Sequence, residues 1–370
     1  MWIHQHRDWP NFVCDADRLT SRLADVRHRQ GRLQGRMEGL GFSLRHEANL
    51  RSLTSEVVKS SAIEGERLDV DEVRSSIARR LGIQTAGMVP VSRDVEGIVE
   101  MMLDATRRFS EPLTKDRLCD WHAAMFPAGR SGIRRITVGA WRNTESGPMQ
   151  IVSGPVGRET VHFEAPGAER LETEMTGFLA WFENADEIDP VLKAGIAHLW
   201  FLTIHPFEDG NGRIGRAIAD MALARADGMA DRYYSLSTQI ESERKDYYDQ
   251  LEKQQRGTPD ITDWLQWFVD CLGRAIASAA QSLSRVLYKA RLWEQVNEDP
   301  VNERQRCVIN RMLEDDFVGF MNTSKYASLA KCSADTALRD IQNLKAREVF
   351  IQNPGGGRST SYRLPDEISE

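Results

Sequence analysis

The stretch His205-Pro206-Phe207-Glu208-Asp209-Gly210-Asn211-Gly212-Arg213-Ile214-Gly215-Arg216 carries the densest chemistry in the chain. Glycines just before a helical run let backbone N–H groups face a ligand with no Cβ in the way. The start of that helix adds partial positive charge. Arg213 and Arg216 are three residues apart, so they lie near one helix face and can each grip phosphate oxygens. Asp209 beside such a nest would be repelled by bare phosphate. It makes sense with a divalent cation between them, since Mg²⁺ is commonly held by one or two carboxylates plus substrate phosphates. His205 has an unperturbed pKa near neutrality, which makes it the natural general base. A base, a metal carboxylate, an anion nest and two arginines suit nucleophilic attack on a nucleotide phosphorus.

Gly210-x-Gly212-x-x-Gly215 also has the form of the dinucleotide fingerprint. That fingerprint needs a strand ending at the first glycine and a βαβ surround. Here His-Pro-Phe-Glu-Asp intervenes and no alternating strands flank it, so the Rossmann reading is rejected.

The elements that must position these residues read mostly as helix. Leu19, Leu23, Val26, Leu33, Met37 and Leu40 recur at helical spacing over 16–40. A long helix is expected over 43–64 with Gly65 as its terminator, and another over 67–80. A loop at 82–92 precedes helices near 93–109, 114–125, 167–184 and 189–204. Residues 136–164 break the pattern with Gly139, Gly147, Gly154 and Gly157, and the β-prone pieces 149–153 and 160–163 read as a hairpin. Helices near 211–226, 241–255 and 260–289 complete a central block. Three further helices over 301–314, 324–330 and 333–346 precede a hairpin turning at Gly355-Gly356-Gly357, the pattern of a winged helix-turn-helix. Expected domain limits are 1–88, 89–289 and 290–370, the last boundary resting on a charged, proline-containing stretch at 290–305.

Bulk properties narrow the class. The chain has 370 residues, 41% of them hydrophobic, and a net charge of −7, so no global field draws it to nucleic acid or anionic membrane. Its cysteines, Cys14, Cys119, Cys271, Cys307 and Cys332, form no CxxC pair, which argues against a disulfide framework or zinc site. The N-terminus is too polar for a signal peptide, and no apolar run is long enough to span a bilayer. A cytoplasmic protein with no membrane partner is expected. His4 and His6 lack further metal ligands nearby, and His198, on an apolar helix, reads as a buried hydrogen-bonded side chain.

With those residues in view, the chain resembles the Fic family. The family signature, His-x-Phe-x-Asp/Glu-Gly-Asn-Gly-Arg-x-x-Arg, is matched at every specified place of 205–216. The resemblance covers roughly 90–285 and implies a mainly α fold, a helical core with a β-hairpin flap. It implies transfer of AMP from ATP to a Ser, Thr or Tyr hydroxyl of a protein target, with self-modification and, in some members, removal of AMP. His205 would then deprotonate the target hydroxyl, Phe207 would anchor the loop, and Asp209 would hold Mg²⁺ or Mn²⁺. Gly210, Asn211 and Gly212 would cradle phosphates, with Arg213 on the leaving pyrophosphate and Arg216 on the γ-phosphate. The hairpin at 149–163 corresponds to the target-docking flap, and Tyr247, Tyr248 and Gln255 to the adenine-side wall.

Ser60-Ser61-Ala62-Ile63-Glu64-Gly65 resembles the family's inhibitory pattern, Ser/Thr-x-x-x-Glu-Gly/Asn. It implies a salt bridge from Glu64 to Arg216 that takes away the γ-phosphate's partner, with Ser60 on the same helix face. Its position N-terminal to the core, with Trp2, Trp9-Pro10-Asn11-Phe12 and Gln30-Gly31-Arg32-Leu33, resembles one Fic subclass. A homodimer is compatible with a brake placed at an interface. The C-terminal domain opens a second class of function, DNA binding through helix 333–346 with Arg358 at the wing, or protein docking. Its roughly balanced charge weakens the DNA reading. Two alternatives remain open here, a DNA-binding regulator whose Fic core senses nucleotide and a Fic transferase with another nucleotide donor. A sensor, however, needs no general base.

Overall fold

The computed structural model describes residues 1–83, 87–155, 158, 160–184, 187–297, 299–314, 317–354 and 360–366. In chain order the helices are α1 (Ala16–Glu38), α2 (Phe42–Ile63), α3 (Val70–Arg80), α4 (Arg93–Arg107) and α5 (Lys115–Met125). A short antiparallel pair follows, β1 (Arg130–Ser131) and β2 (Arg134–Arg135), then the hairpin β3 (Gln150–Ser153) and β4 (Thr160–Glu164). Next come α6 (Leu171–Asn184), α7 (Pro190–Ile204), α8 (Asn211–Asp227), α9 (Leu236–Ser242), α10 (Arg244–Gln255) and α11 (Thr262–Asn297). The C-terminal elements are α12 (Glu303–Met312), α13 (Thr323–Ala330), α14 (Ala334–Ala346), β5 (Ile351–Gln352) and β6 (Tyr362–Arg363). The chain is mainly α, and it divides into two compact units, Met1–Ala280 and Gln281–Glu370.

The first unit is built around α7. Asp189 caps it, accepting from the N–H groups of Val191 and Leu192, and Pro190 supplies a preset φ at its first position. The helix is apolar on all sides and therefore sits in the core, with Ala194, Ala197, Leu199, Phe201 and Ile204 buried. Gly195 lets α11 come close: a Cβ there would lie 3.0 Å from Leu265 and Phe268, and Trp264 donates to the Gly195 carbonyl at 2.8 Å. α8 packs along α7 and buries Ile214, Ala217, Ile218 and Met221. The periodic face of α1, Leu19, Val26, Leu33 and Met37, is buried as its spacing requires. N-terminal residues brace the hairpin: Trp2 meets Phe163 edge-on at 5.5 Å, and His4 donates to the Glu164 carbonyl at 2.8 Å.

Two helical expectations differ from the structure. The helix expected over 241–255 is broken at Glu243, whose φ of −110° and ψ of 26° leave the helical region. Two bonds of 2.6 Å from Arg274 hold its carboxylate, a tertiary contact that spacing along the chain does not reveal. The helix expected to stop at 289 runs on to Asn297, because Leu292 and Val296 contribute to the core of the second unit.

That second unit packs Val308, Ile309, Tyr326, Ile341, Leu344, Phe350 and Tyr362 together. Its three helices begin at the side-chain caps Asn302, Asn322 and Ser333. β5 and β6 pair antiparallel, and Met321 exchanges backbone bonds with Tyr362 at 2.9 and 2.7 Å. The turn expected at Gly355-Gly356-Gly357, and Arg358, lie outside the described residues.

Candidate active site

The loop joining α7 to α8 is rigid for reasons visible in its own residues. His205 closes α7 in the left-handed conformation, φ 51° and ψ 59°. Phe207 is fully buried, with the His122 ring stacked on it at 4.2 Å. Asn211 clamps the backbone of Phe207, accepting from its N–H at 3.0 Å and donating to its carbonyl at 2.8 Å. Both polar atoms of the Asn211 side chain are thus occupied, and what it can offer a phosphate is its backbone N–H. Gly210 starts α8 at φ 79°, a conformation that costs other residues strain, and a Cβ there would press on Met125 and Phe126 at 3.0 Å.

His205 is oriented for proton acceptance. Its Nδ1–H donates to the Leu202 carbonyl at 3.2 Å, which leaves Nε2 as the free base. Burial pushes its pKa down to about 4, the bond to Leu202 opposing and the nearby Arg142 charge adding to the shift. The imidazole is therefore neutral, and able to accept a proton, across the physiological range.

Arg142 was not singled out by sequence, and it holds this end of α7. Its side chain donates to the carbonyls of His205 at 2.8 Å, Pro166 at 2.5 Å and Ile204 at 3.4 Å, and its backbone N–H to Pro206 at 2.8 Å. A cation at the negative end of a core helix is electrostatically placed. Burial pulls its pKa down to about 10, so it stays charged. His122 is the other residue that spacing along the chain does not assign. The Gly139 N–H donates to its Nδ1 at 3.1 Å, so Nε2 carries the proton and donates to the Asp209 carbonyl at 3.2 Å. Neither residue has a local signal, because each acts on a loop more than sixty positions away in sequence.

Asp209 accepts from its neighbour's N–H, that of Gly210, at 2.6 Å, and from the hydroxyl of Ser131 on β1. Glu208 is held by Thr137 at 2.7 Å and Arg134 at 3.4 Å. The segment around β1 and β2 thus fixes the acidic pair. Among the described residues no group of three or more His, Cys, Asp or Glu could hold a metal ion. The donor set around Asp209 fits a hard divalent cation only if ligand oxygens complete it.

Two carboxylates from the chain end of α2 reach the arginines of α8. Glu64 Oε1 lies 2.9 Å from Arg216 Nη2, and Glu66 Oε2 lies 2.5 Å from Arg213 Nη1. Ser60 receives Arg216 twice, Nε on its hydroxyl and Nη2 on its carbonyl, both at 2.8 Å. Gly65, at φ 87°, turns the chain so that these side chains project. A Cβ on Gly212 would stand 2.0 Å from Glu64 Oε1, so the Glu64 carboxylate fills the space over the start of α8 that glycine leaves open. Two buried donors there, Arg216 Nη1 and Arg213 Nε, have no hydrogen-bond partner among the described residues. The Glu64 carboxylate sits in this nest already, and Arg216 Nη1 and Arg213 Nε keep donor capacity for further anionic oxygens.

Of the three wall residues, two are embedded in protein. Tyr247 is 1% exposed and pairs its hydroxyl with His198 Nε2 at 2.9 Å, while His198 stacks on Trp264. Gln255 is 6% exposed and donates weakly to the Leu202 carbonyl at 3.5 Å. Tyr248 is partly exposed and donates to the Ile63 carbonyl at 3.1 Å, tying α10 to the end of α2.

Buried histidines make stability sensitive to acid. Burial also drives His198 down to about 3. Between pH 6.5 and these values the unfolded chain binds more protons than the folded one, so stability is full above 6.5 and falls as pH drops. For each such ring the loss approaches about 1.4 kcal/mol for every pH unit below 6.5. Thermal melts should show Tm falling steadily from pH 6.5 to 4; a flat profile would mean that these rings are not held neutral.

Together the elements define a helical core with an anion nest at the start of α8. Residues 112–223 match the Fic/DOC family model, and the chain carries a Fic/DOC family domain. Residues 2–83, which include Ser60 and Glu64, match a domain of unknown function, DUF4172. A protein adenylyltransferase Fic of Nematostella vectensis is 24% identical over 225 residues, 60% of this chain and 47% of that protein. One of Culex quinquefasciatus is 34% identical over 114 residues, 30% of this chain and 21% of that protein. The chain thus spans less than half the length of these relatives. A Fic family protein from Desulfovibrio desulfuricans G20 superposes with a TM-score of 0.53 at 22% identity, covering 95% of this chain and 97% of the other. A Fic domain containing signaling protein from Bacteroides thetaiotaomicron VPI-5482 gives 0.52 at 20% identity, covering 70% and 96%. Both establish the shared fold. No helix among the described residues is long and apolar enough to cross a membrane.

Proposed function

We propose that this chain transfers AMP from ATP to a Ser, Thr or Tyr hydroxyl of a protein, itself included, under restraint by Glu64. The observation that carries the reading is the Glu64 carboxylate seated over Gly212, paired with Arg216, in the nest where the ATP phosphates would lie. A carboxylate held at a helix start by an arginine is a stand-in for a phosphate. The names of the adenylyltransferase relatives support the same reaction.

In this mechanism the hydroxyl oxygen attacks the α-phosphorus, and His205 Nε2 takes its proton. The bond to the β-phosphate oxygen breaks, and pyrophosphate leaves with the electron pair. Backbone N–H groups of Gly210, Asn211 and Gly212 and the Arg213 guanidinium stabilise the charge that develops, the largest contribution in reactions of this type. Arg216, once free of Glu64, grips the γ-phosphate. Asp209 would hold Mg²⁺ or Mn²⁺, which would supply neutralisation of phosphate charge. The exposed edge of the β3–β4 hairpin would register the target's backbone by strand addition. With Glu64 in place, the same site would favour removal of AMP over its addition.

ATP labelled at the α- or the γ-phosphate separates the donor alternatives. Protein-bound label is expected only from the α-position, with pyrophosphate released. Label arriving from the γ-position, or efficient transfer only from a different nucleotide, overturns the assignment.

A further inference from the structure

The hairpin carries a second constellation that the transfer mechanism does not use. Ser153 Oγ lies 2.6 Å from His162 Nε2, and His162 Nδ1 lies 2.7 Å from Glu252 Oε2 on α10. The other oxygen of Glu252 is 3.1 Å from Arg256 Nη2. Arg256 also donates to the carbonyls of Val161 at 2.8 Å and His162 at 3.3 Å, so the carboxylate and the strand are clamped to the same guanidinium.

The ladder is irregular where this contact forms. Ile151 pairs with Phe163, but Val152 pairs with Val161 and Ser153 with Thr160, which leaves His162 as the extra residue of a bulge. Paired residues share a face, and so do residues two apart on one strand. The bulge interrupts that alternation, and at the break Ser153 Oγ meets His162 Nε2. Without the extra residue Val152 would oppose His162, and Ser153 would point to the other side. The bulge is thus what brings the serine and the histidine together.

Chemistry follows from the order of the bonds. The Glu252 carboxylate can only accept, so Nδ1 carries a proton, and in the neutral ring Nε2 is an acceptor. Ser153 must then donate its hydroxyl proton to Nε2. A hydroxyl, an imidazole base and a carboxylate that orients it are the components of an activated nucleophile. Ser153 is exposed, so an electrophile can reach it.

We propose that Ser153 is a nucleophile activated by His162 and Glu252 and a covalent modification site for phosphorus electrophiles, AMP in particular. The AMP part rests on the transfer activity proposed above. In the AMP step the Ser153 oxygen forms a bond to the α-phosphorus and the bond to pyrophosphate breaks. The hydroxyl proton passes to His162 Nε2, and pyrophosphate carries the electron pair away.

A fluorophosphonate probe tests the nucleophile without any nucleotide chemistry. Attack by Ser153 forms the oxygen–phosphorus bond, fluoride leaves, and the proton goes to His162. Peptide mapping of the treated full-length protein should find the label on Ser153. His162→Gln should slow labelling by about 10²-fold or more, the scale of a general base, and Glu252→Gln should slow it less. Thermal melts check that each variant is folded. Labelling of Ser153 no faster than that of other exposed serines, or unchanged by His162→Gln in a folded variant, overturns the proposal. In a second arm, Glu64→Gly protein incubated with ATP and Mg²⁺ is mapped for AMP. AMP on Ser153 supports the acceptor role, while AMP on other residues with none on Ser153 overturns that role. No AMP on any residue counts against the transfer reading, and the fluorophosphonate result then decides the nucleophile by itself.

Discussion

Glu64→Gly is expected to raise AMP transfer. In the structure the carboxylate both pairs with Arg216 at 2.9 Å and occupies the space over Gly212. On the proposed reading ATP would have to displace it from both, and part of the γ-phosphate's binding free energy would be spent on that exchange. Removing one partner of a buried ion pair costs about 2–5 kcal/mol. Glu64 is 32% exposed, so water screens part of its attraction. A coupling of about 1–3 kcal/mol is the fitting scale, which corresponds to about a 5- to 150-fold gain. The initial rate of label transfer from α-labelled ATP measures it. The same variant should melt at lower temperature without nucleotide, because Arg216 is 1% exposed and loses the carboxylate that balances its charge. ATP should restore the loss by supplying another anion. Glu64→Gln keeps the shape and removes the charge, so it should lie between the two. A Glu64→Gly protein no more active than the parent would mean that Arg216 is not the residue ATP competes for.

His205→Ala is expected to act in the opposite direction and to dominate. Loss of a positioned general base lowers rates by about 10²- to 10⁴-fold. The effect should fall on kcat far more than on ATP binding, because in the proposed mechanism Nε2 takes the acceptor's proton while Gly210, Asn211, Gly212 and the arginines would hold the phosphates. Since burial holds the imidazole pKa at about 4, the acidic limb of kcat/KM should lie well below pH 6.5. Between pH 6 and 8 this group should impose no slope. A limb near 6.5 would show that the ring is solvated in the working enzyme. A His205→Ala protein with full activity would remove the base from the mechanism.

The loop was legible in the sequence because its chemistry and its geometry use the same residues. Gly210 is needed both for its backbone angle and for access to the nest, and Phe207 anchors the loop by burial. Ser60 and Glu64 were legible through their likeness to the family's inhibitory pattern, and both reach Arg216. Tertiary partners left no such mark. Arg142 and His122 stabilise the loop from positions where neither spacing nor neighbours distinguish them from other arginines and histidines. Glu66, two residues beyond Glu64, falls outside the recognised pattern yet reaches Arg213. Tyr247, which the resemblance put in an adenine-side wall with Tyr248 and Gln255, is 1% exposed and packs against His198 and Trp267, partners its spacing does not announce. The bulge at His162 depends on how two strands align, which neither strand encodes alone.

The central claim is that an intact transfer site stands behind the Glu64–Arg216 contact. Intact-mass measurement of three proteins after incubation with ATP and Mg²⁺ tests it most directly: the parent, Glu64→Gly, and Glu64→Gly combined with His205→Ala. AMP-sized additions should be sparse on the parent, abundant on Glu64→Gly, and reduced in the double variant to what Ser153 can accept with His162 as its base. Equal additions on all three, phosphate-sized additions, or none on folded Glu64→Gly would contradict it.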